Sequence, residues 1–377
     1  MTRHNGTSAP GGSRSVVENA TARRAPPGLA AAVVSADGAA DFVTSGLADV
    51  RADRPVTVHT TFLWFSMTKI VTATAAMMLA ERGALDLDAP VIDRVPELRV
   101  LHGPGSLITA RHLLAHSSGL ANPPPVRWVR PAGVPPPDAR AFLAGLLHRH
   151  RRLRSRPGQR AAYSNLGYLV LGELIALCAG QPFCEFVRRE LLEPLGMSRT
   201  GFEHARAPAD IATGYWRLPP GGQSALRLLL PPGIVGQRAD GLIGFRPFYV
   251  NGPPYGGLVG DVHDAARFLS LHLGDGAAHG KRLLSAQSAV AMRTLTTNGS
   301  KLSTGLGWWR RHDADDGSGL VEHLGGGGAY RNLMRLYPAS GRAVVMFGNL
   351  TSYPVEHLTA AVLRADPPCP RPARPAG

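Results

Sequence analysis

A chain of 377 residues, 44% hydrophobic and 18% charged, can bury one large core or two to three smaller ones and is too apolar for global disorder. Glycine and proline number 44 and 32, below the share that marks a low-complexity chain but enough to require many loops. The net charge of +14 would suit an anionic partner, yet the arginines are scattered. Their densest run, His148 to Arg156, has no interleaved aromatics and leads into Pro157-Gly158, so it reads as a solvated helix end and no nucleic-acid partner is expected.

The first 25 residues are polar and aperiodic and read as a disordered tail. Leu29 to Ser35, the pair Asp37-Gly38 and Ala40 to Ser45 predict a β-hairpin. Met67 to Arg82 is helical by composition, with Gly83 at its C-terminal end. Further helices are expected at 109–116, 137–150, 167–179 and 182–192. Residues 213–254, broken by three Pro/Gly clusters, read as a long irregular loop that either shapes a binding site or is variable surface. A helix at 261–273, four strands between 305 and 349 and a helix at 354–364 follow. The expected organisation is a sheet domain from 26–62 and 255–366, a helical domain at 63–254, and a second disordered tail at 367–377.

Cys178, Cys184 and Cys369 form an odd set without metal-ligand spacing, so neither a disulfide framework nor a zinc site is indicated. His112 and His116 lie four apart on a helix, but no glutamate follows His112 as a zinc-protease motif needs, and both are read as structural. No metal and no cofactor are expected. Residues 1–28 hold no apolar stretch, and the most apolar window, Tyr168 to Gly180, is interrupted by Glu173. No membrane span and a cytoplasmic location are therefore the expectation, with the oligomeric state open.

Three motifs carry chemistry. Ser66-Met67-Thr68-Lys69 puts a hydroxyl and an amine nearly one helical turn apart, where the amine serves as base if burial lowers its pKa. The alternative is a helix cap beside a solvated lysine. Tyr163-Ser164-Asn165 precedes a helix. The phenol, its pKa lowered by a lysine neighbour, would shuttle protons, and Asn165 would bind Lys69 or a substrate carbonyl, unless Ser164 or Asn165 only caps the helix. Glu322-His323-Leu324-Gly325-Gly326-Gly327-Gly328 ends a strand in glycines. Without a following Lys-Ser/Thr or helix this is no phosphate loop, but it suits close approach of a ligand to backbone N–H groups, with His323 adding a polar or cationic group.

In that order, and with the segments Ile108 to Leu120, Glu193 to Met197 and Tyr255 to Leu258, these motifs resemble the serine β-lactamase and penicillin-binding-protein superfamily. More narrowly, they resemble its class C β-lactamase, esterase and D-peptidase branch. The resemblance runs from about Pro27 to Asn349. It implies an α/β (α+β) β-lactamase-like fold, an antiparallel sheet flanked by helices with an inserted all-helical domain. It further implies Ser66 as acylated nucleophile, Lys69 as base or relay and Tyr163 as second acid/base. Asn165, His323 and Gly325 would orient substrate, and the backbone N–H groups of Ser66 and Gly326 would form an oxyanion hole. The expected activity is acyl transfer from an ester or amide of a small-molecule or peptide substrate. A D-amino-acid peptidase, transpeptidase or acyltransferase is an alternative, and a degenerate binding module is the non-enzymatic one. His323 and Leu324 stand where the family has a lysine and a small polar residue, so weak or absent β-lactamase action is expected. Ala329-Tyr330 replaces the usual Gly-Phe pair.

Overall fold

The computed structural model describes residues 12–365 except 24, 204–209, 220 and 315. Its first element corrects the expected disordered tail: Ser13–Ala22 is a helix, α1. Val17 and Thr21 are buried, Ser13 Oγ donates to the Val362 carbonyl at 3.0 Å, and the Thr21 and Ser45 hydroxyls share a 2.7 Å hydrogen bond. Docking on the sheet orders this polar helix, a tertiary cause that propensity does not carry. Residues 1–11 and the expected tail 367–377 lie outside the described residues.

β1 (Gly28–Ser35) and β2 (Ala40–Asp49) form the hairpin that Asp37-Gly38 predicts. Gly38 takes φ +85°, its N–H donates to the Ser35 carbonyl at 2.9 Å, and Asp37 Oδ1 accepts the Ala39 N–H at 3.0 Å. After a crossing into the inserted region, α2 (Thr68–Glu81) is buried on all sides from Thr68 to Leu79, as its apolar circumference requires. It packs on α3 (Asn165–Ala179), ended by Gly180 at φ +64°.

The 213–254 stretch is not an irregular loop, and the insert is not purely helical. Tyr215–Arg217, Leu242–Phe245 and Val235–Ala239 make a three-stranded antiparallel sheet, Val129–Pro131 pairs with Phe248–Val250, and Gly222–Leu229 is a helix, α4. The hairpin turns through Asp240 and Gly241 at φ +51° and +75°, the two positive values a type I′ turn needs. Strands of three to five residues, flanked by proline and glycine, are too short to show their alternation in the sequence.

α5 (Val262–Leu273) returns the chain to the main sheet, followed by β3 (Val321–Gly327), β4 (Tyr330–Tyr337), β5 (Arg342–Gly348) and α6 (Val355–Ala365). Nine antiparallel strands run in the order 297–298, 302–304, 309–311, β3, β4, β5, β1, β2, 54–55. Because side chains alternate across a strand, one sheet feeds two cores. Ala30, Ala32 and Val34 of β1 and Val345 and Phe347 of β5 face the larger core with α2 and α5. Leu29, Ala31, Val33, Val344 and Met346 face a second core closed by Val17 of α1 and Val362 of α6. Burial on both faces explains why β1 reads as one apolar run. This is the β-lactamase-like architecture expected from the motifs. Among the described residues no single helix is long and apolar enough to cross a membrane.

Candidate active site

Ser66 is set by a short bridge and a forced turn. Phe62–Leu63 pairs with Val259–Gly260, and the Trp64 N–H donates to the Leu258 carbonyl at 2.8 Å. Phe65 then adopts φ +47°, a left-handed conformation that costs a non-glycine residue roughly 1–2 kcal/mol. The chain enters a 3-10 turn over Phe65–Met67 that continues into α2. The Phe65 ring fits only because of glycine on β3: a Cβ on Gly327 would lie 2.1 Å from it.

Ser66 Oγ has two partners within hydrogen-bond reach. Lys69 Nζ lies 3.1 Å away and Tyr163 Oη, donating, 2.7 Å away. Lys69 is fully buried and also donates to the Tyr255 carbonyl at 2.6 Å, with its Nζ 4.9–5.6 Å from the ring centres of Tyr163, Tyr168 and Tyr255. None of these contacts is a carboxylate. Desolvation therefore holds the amine well below its ordinary pKa, toward the neutral form a base needs. The phenol responds in the opposite sense to the sequence expectation: burial raises the Tyr163 pKa, its hydrogen bond to Ser66 only partly opposing the rise. Tyr163 is thus a protonated donor and not a phenolate base.

The loop carrying Tyr163 is clamped by His116. The His116 carbonyl accepts from the Ala162 N–H at 2.7 Å, its Nδ1 accepts from the Ser164 N–H at 3.2 Å, and its ring lies 4.5 Å from that of Tyr163. His116 does this from φ +51°. Burial, then Lys69 and His323, keep its imidazole well below the ordinary pKa, and an unprotonated Nδ1 is what the Ser164 contact demands. Ser164 caps α3, accepting the Gly167 N–H at 3.0 Å, so the capping and site readings of this motif coexist. Asn165 does not hold Lys69: its Oδ1 is buried with no partner.

On β3, His323 is completely buried. Its Nδ1 donates to the Leu324 carbonyl at 2.8 Å, its Nε2 has no partner, and burial together with Lys69 pushes its pKa down to about 3. The expected polar group is present, but it is not a cation. Gly325 has a packing role in this strand. A Cβ there would meet the Trp64 carbonyl at 2.2 Å, so this glycine allows β3 to press against the backbone preceding Ser66. Gly326, whose Cβ direction is open, lines a cavity of about 450 Å3 together with Ser66, Phe65, Asn165 and Tyr255. Two contributors escaped the sequence. The Tyr255 role is a backbone carbonyl, which no side chain announces. His116 reads from the sequence as structural, and its clamp on the Tyr163 loop is a contact that its spacing from His112 does not announce.

The described residues bring one metal-like group together, Asp261, His263 and Asp264. Asp264 Oδ2 already accepts from the Arg199 N–H and the Thr200 hydroxyl at 2.8 and 2.9 Å, and Asp261 Oδ1 from the Asp264 N–H at 2.8 Å. These carboxylates fix a helix start and a neighbouring turn. The thiols Cys178 and Cys184 are free, and burial pushes Cys184 up to about 12, which makes it unreactive.

Comparison with known proteins finds relatives by sequence and by structure. The chain is 36% identical to the esterase EstB of Burkholderia gladioli over 183 residues, 45% of each chain. It is 28% identical to penicillin-binding protein 4 of Amycolatopsis lactamdurans over 86% of this chain and 81% of that one. It spans 63% of the length of a Mycobacterium tuberculosis protein to which it is 32% identical over 66% of its own residues. The octameric penicillin-binding protein homologue of Pyrococcus abyssi superposes with a TM-score of 0.70 at 25% identity, covering 92% of this chain and 74% of that one. The beta-lactamase family profile matches residues 14–367, and the chain belongs to that family.

Proposed function

We propose that this protein is a serine hydrolase that cleaves esters through an acyl-enzyme on Ser66. One observation carries the reading. Ser66 Oγ sits between a buried, carboxylate-free lysine at 3.1 Å and a protonated tyrosine at 2.7 Å, a nucleophile with a base and an acid already in reach. Neutral Lys69 takes the Ser66 proton as Oγ attacks the carbonyl carbon. The oxyanion forms between the backbone N–H groups of Ser66 and Gly326, residues that line the same cavity. As the tetrahedral intermediate collapses, the Tyr163 hydroxyl gives its proton to the departing oxygen, and the Lys69 ammonium, over its ring, restores it. Water repeats the sequence on the acyl-enzyme.

His323 separates this reading from efficient β-lactam hydrolysis. A buried neutral imidazole with a pKa near 3 cannot pair with the carboxylate of a β-lactam as a lysine would. The nearby cation, Arg331, is held by Glu356 at 2.7 Å. The test is turnover of p-nitrophenyl esters and of a chromogenic cephalosporin by the wild type and by Ser66→Ala. Ester turnover is expected to exceed β-lactam turnover and to vanish in the variant; an ester activity that survives Ser66→Ala would refute the reading.

A second reading, cleavage of an amide or D-peptide, has its own support in the buried, unpaired Asn165 Oδ1 beside Ser66, which could accept a substrate N–H. A panel of D-amino acid amides separates the two, and Asn165→Ala should then weaken amides more than esters.

A further inference from the structure

Resting on the acyl-enzyme reading, we infer that the substrates carry a long or bulky, uncharged apolar acyl group, which the 213–254 stretch receives in the cavity beside Ser66. Three observations lead there. The first is direction. The acid, Tyr163, and its neighbours Lys69 and His323 do not line the cavity, whereas Ser66, Gly326 and Asn165 do. A group that protonates the leaving oxygen stands on the leaving group's side, so the space on the other side of Ser66 belongs to the acyl part.

The second is lining. Beyond Ser66 the walls are Val126, Val129, Leu230, Ile234, Phe245 and Phe248: Val129 and Phe248 come from the short strand pair, Phe245 from the small sheet, Leu230 from the end of α4, and Val126 and Ile234 from the segments just before those strands. Phe65 and Phe248, both on the lining, pack with ring centres 6.3 Å apart. The cation on the lining, Arg331, is engaged by Glu356, and Thr351 Oγ1 is occupied by the Ala329 N–H and the Tyr215 carbonyl. An acyl carboxylate or ammonium would therefore enter an apolar space without a free counter-ion, which is strongly unfavourable. A volume of about 450 Å3 is far larger than an acetyl group needs, and would leave a small acyl group loosely held.

The third is entry. The C-terminal end of helix α4 forms part of the rim and exposes two leucines: Leu228 is 81% exposed and Leu229, which also lines the cavity, 49%. Arg127 donates to the carbonyls of both residues at 3.1 and 3.3 Å, fixing the helix end over the opening. Leucines held outward at the mouth of an apolar cavity form a continuous path for an apolar chain.

Each methylene that lies in such a cavity should raise kcat/KM about fourfold. The experiment compares p-nitrophenyl acetate, butyrate, octanoate and the octanedioic half-ester as monomers, on the full chain, with fluorophosphonate labelling of Ser66 run in parallel. Octanoate is expected to exceed acetate in kcat/KM by at least about a hundredfold and to exceed the charged half-ester by a similar factor. Val126→Asp and Leu229→Asp, at partly exposed wall positions, should cut the octanoate-to-acetate ratio at least about tenfold. The result distinguishes two failures. Labelled Ser66 with acetate turnover and no preference for octanoate overturns the acyl-group inference alone; unlabelled Ser66 overturns the acyl-enzyme reading and this inference with it.

Discussion

The two sides of Ser66 are built on opposite principles. On one side, Lys69, Tyr163, His116 and His323 form a buried polar nest in which hydroxyl, amine and phenol are joined by hydrogen bonds of 2.7 and 3.1 Å, the groups coming from the start of α2, from β3 and from a clamped loop. On the other, the 213–254 stretch offers apolar side chains from short strands and a rim helix with exposed leucines. Low dielectric serves both, but differently. It disfavours the charged forms of Lys69 and His323 in the nest, and it selects uncharged acyl groups at the wall. Substitutions in the nest should therefore lower turnover of every acyl chain length alike, whereas those in the wall should reorder the acyl chains.

The largest effect after loss of the nucleophile is expected at Lys69. Lys69→Met keeps the length and removes the base, so kcat/KM should fall about a thousandfold for all chain lengths. The variant should also melt higher, because a group that gains by being charged has left a buried site. A variant whose loss differed between acetate and octanoate would blur the boundary between the two sides. Tyr163→Phe should cost about a hundredfold, with the smallest loss for leaving groups that need no proton, such as p-nitrophenolate. Wild-type activity should decline as pH falls through the depressed Lys69 pKa, because the protonated amine is no longer a base.

His116 tests whether the nest depends on its clamp. His116→Ala loses the acceptor for the Ser164 N–H and puts alanine at φ +51°, and should reduce kcat about tenfold or more. His116→Asn supplies a carbonyl acceptor and tolerates that backbone, so it should recover most of the rate. Equal losses in both would show that the ring, and not the hydrogen bond, positions Tyr163.

The smallest effect concerns stability. His323 has a pKa of about 3 when folded against an ordinary value of 6.5, so between those values the unfolded chain binds the extra proton. Stability is then lost as pH falls below 6.5, by at most about 1.4 kcal/mol per pH unit for this group. His116 adds in the same sense. Melting temperatures between pH 6.5 and 5 should fall less steeply in His323→Gln than in the wild type.

How far the sequence could show this depends on whether a feature lives in side-chain spacing. Ser66 and Lys69 were legible because three residues of helix bring hydroxyl and amine together whatever else surrounds them. The long sheet strands were legible because β1, β4 and β5 are continuous in the chain. Two identical signals had different fates. Asp37-Gly38 joins strands of eight and ten residues and reads as a hairpin, while Asp240-Gly241 joins strands of five and four and is hidden among proline and glycine. The Tyr255 carbonyl, the left-handed Phe65 and the order of α1 are products of tertiary packing, so no local pattern carries them. The direction of the Tyr163 pKa failed for a similar reason. A neighbouring lysine lowers a phenol's pKa only while it is charged, and here burial weakens that charge.

The central claim is that Ser66 becomes acylated, and intact-mass spectrometry of the full chain quenched during turnover of an octanoyl ester tests it most directly. The account predicts a single octanoyl increment that maps to Ser66 and is absent from Ser66→Ala. Turnover without any adduct on a slow ester, or an adduct that persists in Ser66→Ala, would contradict it.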